Sequence, residues 1–506
     1  MEESTQKATS AGEWSERLTM TKIIVEVSKY LLLFLILFFT LETFMVLKRK
    51  NEGARRRIMR KQIVLMLLFN FAAYLVMFLQ TYSLNMIFMY LGTILYILIV
   101  QGLYRLIYKK ASLILLNTMC MLLSVGFVIQ SRLSLNNAFK QFVITSAATL
   151  LSFVVPVIVR KVKLVKDLTW LYGIAGILLL GAVFLFSSVY QGANLSLKFW
   201  GISFQFSEFV KITFVFFVAG MLQKNLTFRR ILLATVLAAV HVGILVLSTD
   251  LGAALIYFIT YIVMLYVATR KVRYVFAGFG CGALAAAAAY RLFSHVQVRV
   301  DVWRNPFADP QGKGYQIIQA LFGICAGGWF GTGLFQGYPD LIPLASEDST
   351  FAAICEELGV LFAICLLLLC MGTYLLIVNI SMKMSKPFYK LIAIGLGTEY
   401  AFQVFLTVGG VTKFIPLTGV TLPLVSYGGS SMVCTILMLA IIQGLYILRE
   451  DEGEQFEKLQ RQKPKGKQNK GGPDDWNYPG PRGGSAPEED DFSRRIEEQT
   501  EKSLNW

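Results

Sequence analysis

Charge is scarce in this chain. Only 16% of its 506 residues are Asp, Glu, Lys or Arg, 55% are apolar, and the mean hydropathy is +0.58. A water-soluble domain of this size needs more polar surface than that, so a soluble fold is excluded and most of the chain must face lipid. Cysteine is equally sparse. Cys120, Cys281, Cys325, Cys355, Cys365, Cys370 and Cys434 lie mostly in or beside apolar runs, with no CxxC or metal-ligand spacing, and read as small packing residues. No internal repeat is visible. Residues 1–21 are polar and the first apolar stretch is long enough to span a bilayer, so a cleavable signal peptide is not expected.

Long apolar runs are abundant. A hydrocarbon core about 30 Å thick takes roughly 20 helical residues, because backbone amides in lipid must pair within the helix. Runs of that kind fall at 22–47, 62–82, 84–107, 112–131, 138–160, 168–190, 208–224, 229–247, 250–269, 273–292, 350–378, 387–408 and 430–448. The sequence therefore predicts an all-α, polytopic helical membrane protein of about thirteen crossings.

Basic residues set the orientation. The loop after the first run holds Lys48, Arg49, Lys50, Arg55, Arg56, Arg57, Arg60 and Lys61 against a single acid, Glu52, which marks it as cytoplasmic. Alternation then puts Arg105/Lys109/Lys110, Arg160/Lys161/Lys163/Lys166, Lys224/Arg229/Arg230, Arg270/Lys271/Arg273 and Lys383/Lys386/Lys390 on the same side. The N-terminus is expected outside, the C-terminus inside, and one large extracytoplasmic loop spans 293–349. Topology thus accounts for most of the net charge of +16, which suits anionic membrane lipids and requires no nucleic acid.

Three zones follow. Residues 1–110 form an accessory set of about three helices, 111–449 hold the remaining spans and most of the unusual polar chemistry, and 450–506 read as a disordered cytoplasmic tail rich in Lys, Gln, Gly, Pro and acids.

Charges within or beside membrane spans are costly and ask for a partner or a purpose. Glu208 and Lys211, three apart, share a helix face, where they serve either as an ion pair fixing helix packing or as the polar wall of an outward cavity. Asp250, between two spans, either caps the second or orients a substrate beside it. In the outer loop, Asp309-Pro310 and the nearby Gly312 and Gly314 shape a rigid turn. A carboxylate held by such a turn at the lipid-water boundary can act as a general base on a membrane-anchored substrate. Glu347, Asp348, Glu356 and Glu357 surround an expected helix start, where acids suit the dipole. Between Thr412 and Ser431, prolines, glycines and hydroxyls are dense enough to break a helix, and at membrane depth such backbone lines a cavity or is buried in protein. That stretch reads as a re-entrant segment. His241, inside a span, reads as a hydrogen-bonded core residue.

Six elements in order, QFSEFVK at 205–211, TDLG at 249–252, NPFADPQGKGYQ at 305–316, GTG at 331–333, the stretch from Asp348 to Gly359 ending in EELG, and PLTGVTLPLVSYGGSS at 416–431, resemble the SEDS family (FtsW/RodA/SpoVE type) over about 112–449. The resemblance implies a ten-helix glycosyltransferase that polymerises peptidoglycan glycan strands from lipid II outside the cytoplasmic membrane. It makes Asp309 the catalytic residue, deprotonating the acceptor sugar's 4-hydroxyl as it attacks the donor's anomeric carbon. The undecaprenyl diphosphate leaving group then needs positive charge, for which Arg299, Lys211 and Lys413 are candidates, or a divalent cation, magnesium or manganese. Glu208, Asp250, Ser426, Gly428, Gly429 and Ser430 complete the expected substrate-binding set. The implied partners are lipid II, the nascent glycan strand and a class B penicillin-binding protein transpeptidase.

Two departures stand out. Phe206 occupies a position that is usually Pro in the family, and the usual HTDFIF reads here as Ser346-Glu347-Asp348-Ser349-Thr350-Phe351. A lipid II flippase or transporter is the main alternative and would need charges buried near the bilayer midplane. A non-catalytic scaffold for a transpeptidase is a third reading, against which the retained Asp309 turn argues.

Overall fold

A computed structural model describes residues 2–49, 51–161, 167–186, 188–190, 193–199, 202–223 and 226–462, with side chains described from 22 onward except for 187–204 and 455–462. In chain order the helices are α1 (Glu2–Lys48), α2 (Glu52–Thr81), α3 (Leu84–Ile107), α4 (Leu113–Leu133), α5 (Leu135–Ser152), α6 (Val155–Lys161), α7 (Thr169–Phe186), α8 (Phe206–Leu222), α9 (Phe228–Leu247), α10 (Leu251–Thr269), α11 (Val272–Leu292), α12 (Ser294–Arg304), α13 (Tyr315–Gly327), α14 (Thr350–Leu358), α15 (Val360–Met382), α16 (Pro387–Val411) and α17 (Gly429–Gln462). Among the described residues, twelve helical stretches are long and apolar enough to cross a membrane, and α8, at 17 residues, falls just short of that length. The chain is a multi-pass helical membrane protein.

Three details differ from the sequence reading. The run expected at 168–190 stops at Phe186, and a small antiparallel sheet follows, β1 (Ser188–Tyr190), β2 (Ala193–Phe199) and β3 (Ile202–Phe204), in the order β1-β2-β3. In sequence, Gly192 and Gly201 interrupt this stretch, and Val189, Tyr190, Phe199, Ile202 and Phe204 suit short strands between such breaks. The single crossing expected at 350–378 is two helices, split at Gly359. Finally, α17 continues past 450 to Gln462, while residues 463–506, most of the expected tail, lie outside the described residues. Charge explains the longer helix. Asp451 takes ion pairs from Lys110 at 2.7 Å and Arg160 at 2.6 Å, and Glu452 takes one from Lys386 at 3.2 Å.

α4 is the axis of the bundle. Its residues from Ile114 to Ser131 are all buried, Asn117, Ser124 and Gln130 included, so neighbours surround it on every side. The N-terminal helices join it through polar side chains: Asn70 donates to Ser124 Oγ at 2.9 Å, Asn117 donates to Gln62 Oε1 at 3.0 Å, and Gln101 donates to Asn117 Oδ1 at 2.8 Å. The Tyr96 hydroxyl meets Thr149 Oγ1 on α5 at 2.8 Å. α1 lies along α15, where Thr40 donates to the Cys365 carbonyl at 3.3 Å, and nearer the outer loop Lys29 Nζ donates to the Gly331 carbonyl at 3.3 Å. α11 is the opposite case, with no buried residue along its length.

His241 behaves as a core residue. It is fully buried, its Nδ1 lies 2.8 Å from the Leu237 carbonyl, and its ring packs on Phe214 and Phe217.

Candidate active site

The two ends of the bundle are chemically distinct. Lys110, Arg160 and Lys386 gather with Asp451 and Glu452 at one end, whereas α8, α10 and α17 begin, and α4 and α16 finish, at the other. All the residues named as site candidates belong to that second end.

Asp309 sits in a tight turn after a 3-10 helix at Pro306–Ala308. Its carboxylate is exposed and accepts from two backbone amides, Gly312 N at 3.1 Å and Lys313 N at 3.1 Å. Glycine is required at both following positions by close approach. A Cβ on Gly312 would stand 2.4 Å from Asp309 Oδ2, and one on Gly314 would stand 2.0 Å from the Pro306 carbonyl oxygen. The turn is anchored on both sides. Before it, α12 docks on the segment after α16, with Arg299 Nη1 donating to the Leu417 carbonyl at 3.2 Å and Trp303 Nε1 donating to the Lys413 carbonyl at 3.2 Å. After it, Gln316 at the start of α13 donates to Asp348 Oδ1 at 3.0 Å and to Ser349 Oγ at 3.1 Å.

Burial pushes the Asp348 carboxyl up to about 6, against the pull of the Gln316 and Ser349 hydrogen bonds. Burial also draws the Arg299 guanidinium below its ordinary value, while Asp250 and Asp348 act in the opposite sense. Arg299 is therefore a partly desolvated cation between two carboxylates.

Beneath this layer lies the Glu208–Lys211 pair, with Nζ 2.7 Å from Glu208 Oε2 and donating to Gln403 Oε1 at 2.9 Å. Both side chains are buried. Asp250 is the N-cap of α10, accepting from Ala253 N at 3.0 Å, and it also accepts from Ser207 Oγ at 3.0 Å. Asp250 thus caps α10 and ties it to the start of α8.

The Lys413–Gly428 segment is non-helical, and Leu422, Leu424, Val425 and Ser426 within it are buried. It dips against α4, where a Cβ on Gly126 would come within 2.6 Å of the Leu424 carbonyl. Ser426 Oγ accepts from Leu422 N at 3.1 Å and donates to Thr350 Oγ1 at 3.0 Å. Ser430 Oγ accepts from Gln205 N at 3.0 Å, Gly428 offers its carbonyl to Met432 N at 2.8 Å, and Gly429 opens α17. Ser426 and Ser430 thus tie the segment to α14 and to the start of α8. Lys413 holds a left-handed φ of 59°, and Thr249, Phe335, Leu344 and Leu424 at the same end are also left-handed. Such strain collects where surrounding structure over-determines the backbone, as at binding sites.

A family model described as a cell cycle protein, FtsW/RodA/SpoVE, matches residues 104–450. The chain belongs to that family. Its relatives include a Mycobacterium bovis protein named peptidoglycan glycosyltransferase RodA, 39% identical over 292 residues, which make up 54% of this chain and 62% of that protein. Stage V sporulation protein E of Bacillus subtilis is 36% identical over 253 residues, 47% of this chain and 67% of that one. The chain thus spans less than two thirds of the mycobacterial relative's length. A solved chain from work on a peptidoglycan synthase complex that coordinates polymerization and crosslinking is similar in fold, with a TM-score of 0.59 and 24% identity, covering 66% of this chain and 97% of that one.

In this member of the FtsW/RodA/SpoVE family, the acids after Asp348 play a different part from the one expected. Glu356 and Glu357 close α14 rather than open it, so the helix dipole does not hold them. Glu356 Oε1 accepts from Tyr338 N at 2.7 Å, and Glu357 Oε1 accepts from Arg132 Nε at 2.8 Å and Phe335 N at 3.2 Å. Arg132, which sequence reasoning missed, also lies 4.3 Å over the Phe335 ring. Its signal was available as a charge at the end of an otherwise apolar run. Burial still pushes the Glu357 carboxyl up to about 7, although Arg132 pulls it down.

Arg132→Met leaves Glu357 buried without its counter-ion, a change that costs about 3–5 kcal/mol when the carboxylate is charged. A carboxyl whose folded value is raised keeps its stabilising contribution at low pH and loses it as pH rises through about 7. Thermal melts of Arg132→Met should therefore show the largest deficit in alkaline buffer and a smaller one on acidification. Equal deficits at both would refute the assignment.

Among the described residues, no three His, Cys, Asp or Glu side chains converge to hold a metal ion. Cations at this end include Arg299, Lys211 and Lys413, with Lys313 in the Asp309 turn and Arg132 on Glu357.

Proposed function

We propose that this chain polymerises peptidoglycan glycan strands from lipid II on the outer face of the cytoplasmic membrane. The observation that carries the reading is the Asp309 turn: an exposed carboxylate, fixed by two amides and anchored through Arg299 and Trp303 on one side and Gln316 on the other. A general base must be held within reach of its proton while remaining open to substrate. The exposed, amide-fixed carboxylate of Asp309 supports that role.

The acceptor's 4-hydroxyl gives its proton to Asp309 as its oxygen forms a bond to the donor's anomeric carbon. The bond from that carbon to the diphosphate breaks, and the electron pair leaves with undecaprenyl diphosphate. Arg299 and Lys413 lie where α12 meets the segment after α16, next to the Asp309 turn, and are the cations best placed to meet the diphosphate. The Lys/Arg-bearing end faces the cytoplasm, which puts the Asp309 end outside, the N-terminus outside and the C-terminus inside. A class B penicillin-binding protein is the fitting partner, in keeping with the synthase complex that shares the fold.

A transporter of lipid II is the second reading, favoured by one observation. Glu399, halfway along α16, is buried, so an ionisable group does reach the middle of a span. One experiment separates the two. Purified protein reconstituted with lipid II and its transpeptidase should yield polymeric glycan. Movement of lipid II across liposomes without polymer would favour the transporter instead.

A further inference from the structure

The anchors of the Asp309 turn belong to one closed circuit. From the turn the chain enters α13, where Gln316 Nε2 donates to Asp348 Oδ1 at 3.0 Å and to Ser349 Oγ at 3.1 Å, and Ser349 Oγ in turn donates to Asp348 Oδ1 at 3.3 Å. Asp348 and Ser349 lead into α14, whose first residue, Thr350, accepts from Ser426 Oγ at 3.0 Å. A second bond joins the same two stretches, from Tyr427 N to the Ser346 carbonyl at 2.7 Å, and Gln130 on α4 donates to that carbonyl at 2.9 Å. The circuit is thereby fastened to the bundle axis. The Lys413–Gly428 segment closes it, because the Lys413 and Leu417 carbonyls accept from Trp303 and Arg299 on α12, and α12 runs back into the turn. There three amides converge on Asp309, those of Gly312 and Lys313 on its carboxylate and that of Gly314 on its carbonyl at 3.0 Å.

Gln316 and Asp348 make the link that uses a carboxyl. Asp348 is buried, and Gly419, with φ 74°, lies against its other oxygen, since a Cβ there would stand 3.9 Å from Oδ2. Joining two loops does not call for a buried carboxyl, because an apolar pair of the same shape joins them without the cost of desolvation. What the carboxyl adds is direction, for a hydrogen bond fixes distance and angle together. A reacting group needs that, being productive only within about 0.5 Å of its proper place.

We propose that Gln316 and Asp348 are a positioning pair that sets the Asp309 turn against the Lys413-bearing segment, so that the general base and the cation for the leaving group are held in one frame. In this role the pair acts through Asp309 rather than on substrate. The catalytic half of the statement rests on the glycosyltransferase reading. The ordering of the turn by the pair stands apart from it.

A double-mutant cycle on the full chain, assayed with lipid II and its transpeptidase, tests the catalytic half. Gln316→Met keeps the length of the side chain and removes the donor, so kcat should fall about 100-fold, the effect of a misplacement of about 1 Å, with KM changed by less than about twofold. Gln316→Glu should also lose kcat, because two carboxyls then face each other. Adding Asp348→Asn to Gln316→Glu exchanges donor and acceptor across the same contact and should recover most of the lost kcat. A raised KM with kcat kept, or a double variant no faster than Gln316→Glu, overturns the positioning role. Hydrogen exchange of residues 305–316 reads the turn without any activity. Gln316→Met should speed exchange at the amides of Gly312, Lys313 and Gly314, and the double variant should slow it again, while α4 exchanges at the wild-type rate throughout. Unchanged exchange in the turn, or faster exchange along α4 as well, overturns the ordering. If the wild type forms no polymer, the glycosyltransferase reading falls and the exchange alone decides whether the pair orders the turn.

Discussion

Asp309→Asn should abolish polymer formation while leaving the purified protein folded. The substitution removes the group that accepts the proton and keeps nearly the same shape. Asn retains one oxygen for the Gly312 amide but turns an NH2 toward the Lys313 amide, so one of two hydrogen bonds is lost. In an exposed turn that loss costs about 1 kcal/mol, too little to unfold a bundle with this much buried surface. General-base removal, by contrast, typically costs about 10²–10⁴ in rate. The check is glycan length and yield from lipid II, beside a melting temperature within a few degrees of the wild type. Undiminished polymer from the folded variant would remove Asp309 from the mechanism.

Gly359→Ala should destabilise the protein more than any exposed change. Gly359 has φ 89° and ψ 163°, a region essentially closed to residues with a Cβ. It also has no room. The added carbon would lie 2.4 Å from Gly331 N, 2.5 Å from Phe330 C and 2.6 Å from the Trp329 carbonyl oxygen. Around it, backbone bonds run from Thr332 N to the Glu356 carbonyl at 2.9 Å and from Val360 N to the Gly328 carbonyl at 3.0 Å, locking the outer loop to the junction of α14 and α15. Strain and overpacking together come to about 3 kcal/mol or more. Gly243 on α9 is the control, because nothing lies within 4 Å of its added Cβ and alanine there favours the helix. A melting temperature for Gly359→Ala as high as that of Gly243→Ala would show the crossing to be slack.

The spans were readable because lipid demands long uninterrupted apolar helices, and α2 through α5 and α15 through α17 supply them. The split at Gly359 was hidden because apolar runs flank Glu356-Glu357 on both sides, and it is the conformation of one glycine that divides the two helices. Asp309 could be picked out because its turn is written locally, in Pro306, Pro310, Gly312 and Gly314. Arg132 with Glu357 could not be, for they are 225 residues apart and nothing local pairs them. Ser426 and Ser430 read as ligand hydroxyls in a polar run, and their protein partners, Thr350 and Leu422 N for one and Gln205 N for the other, come from contacts the local sequence does not spell out.

The polar seams joining the first three helices to α4 and α5 have a consequence for chimeras. Cutting the chain near residue 110 looks clean in the sequence, but it would leave Asn117, Ser124 and Thr149 without Gln62, Gln101, Asn70 and Tyr96. Hydrocarbon cannot replace those partners. A transplanted C-terminal portion would therefore need apolar replacements at those three positions to stand alone as a stable unit.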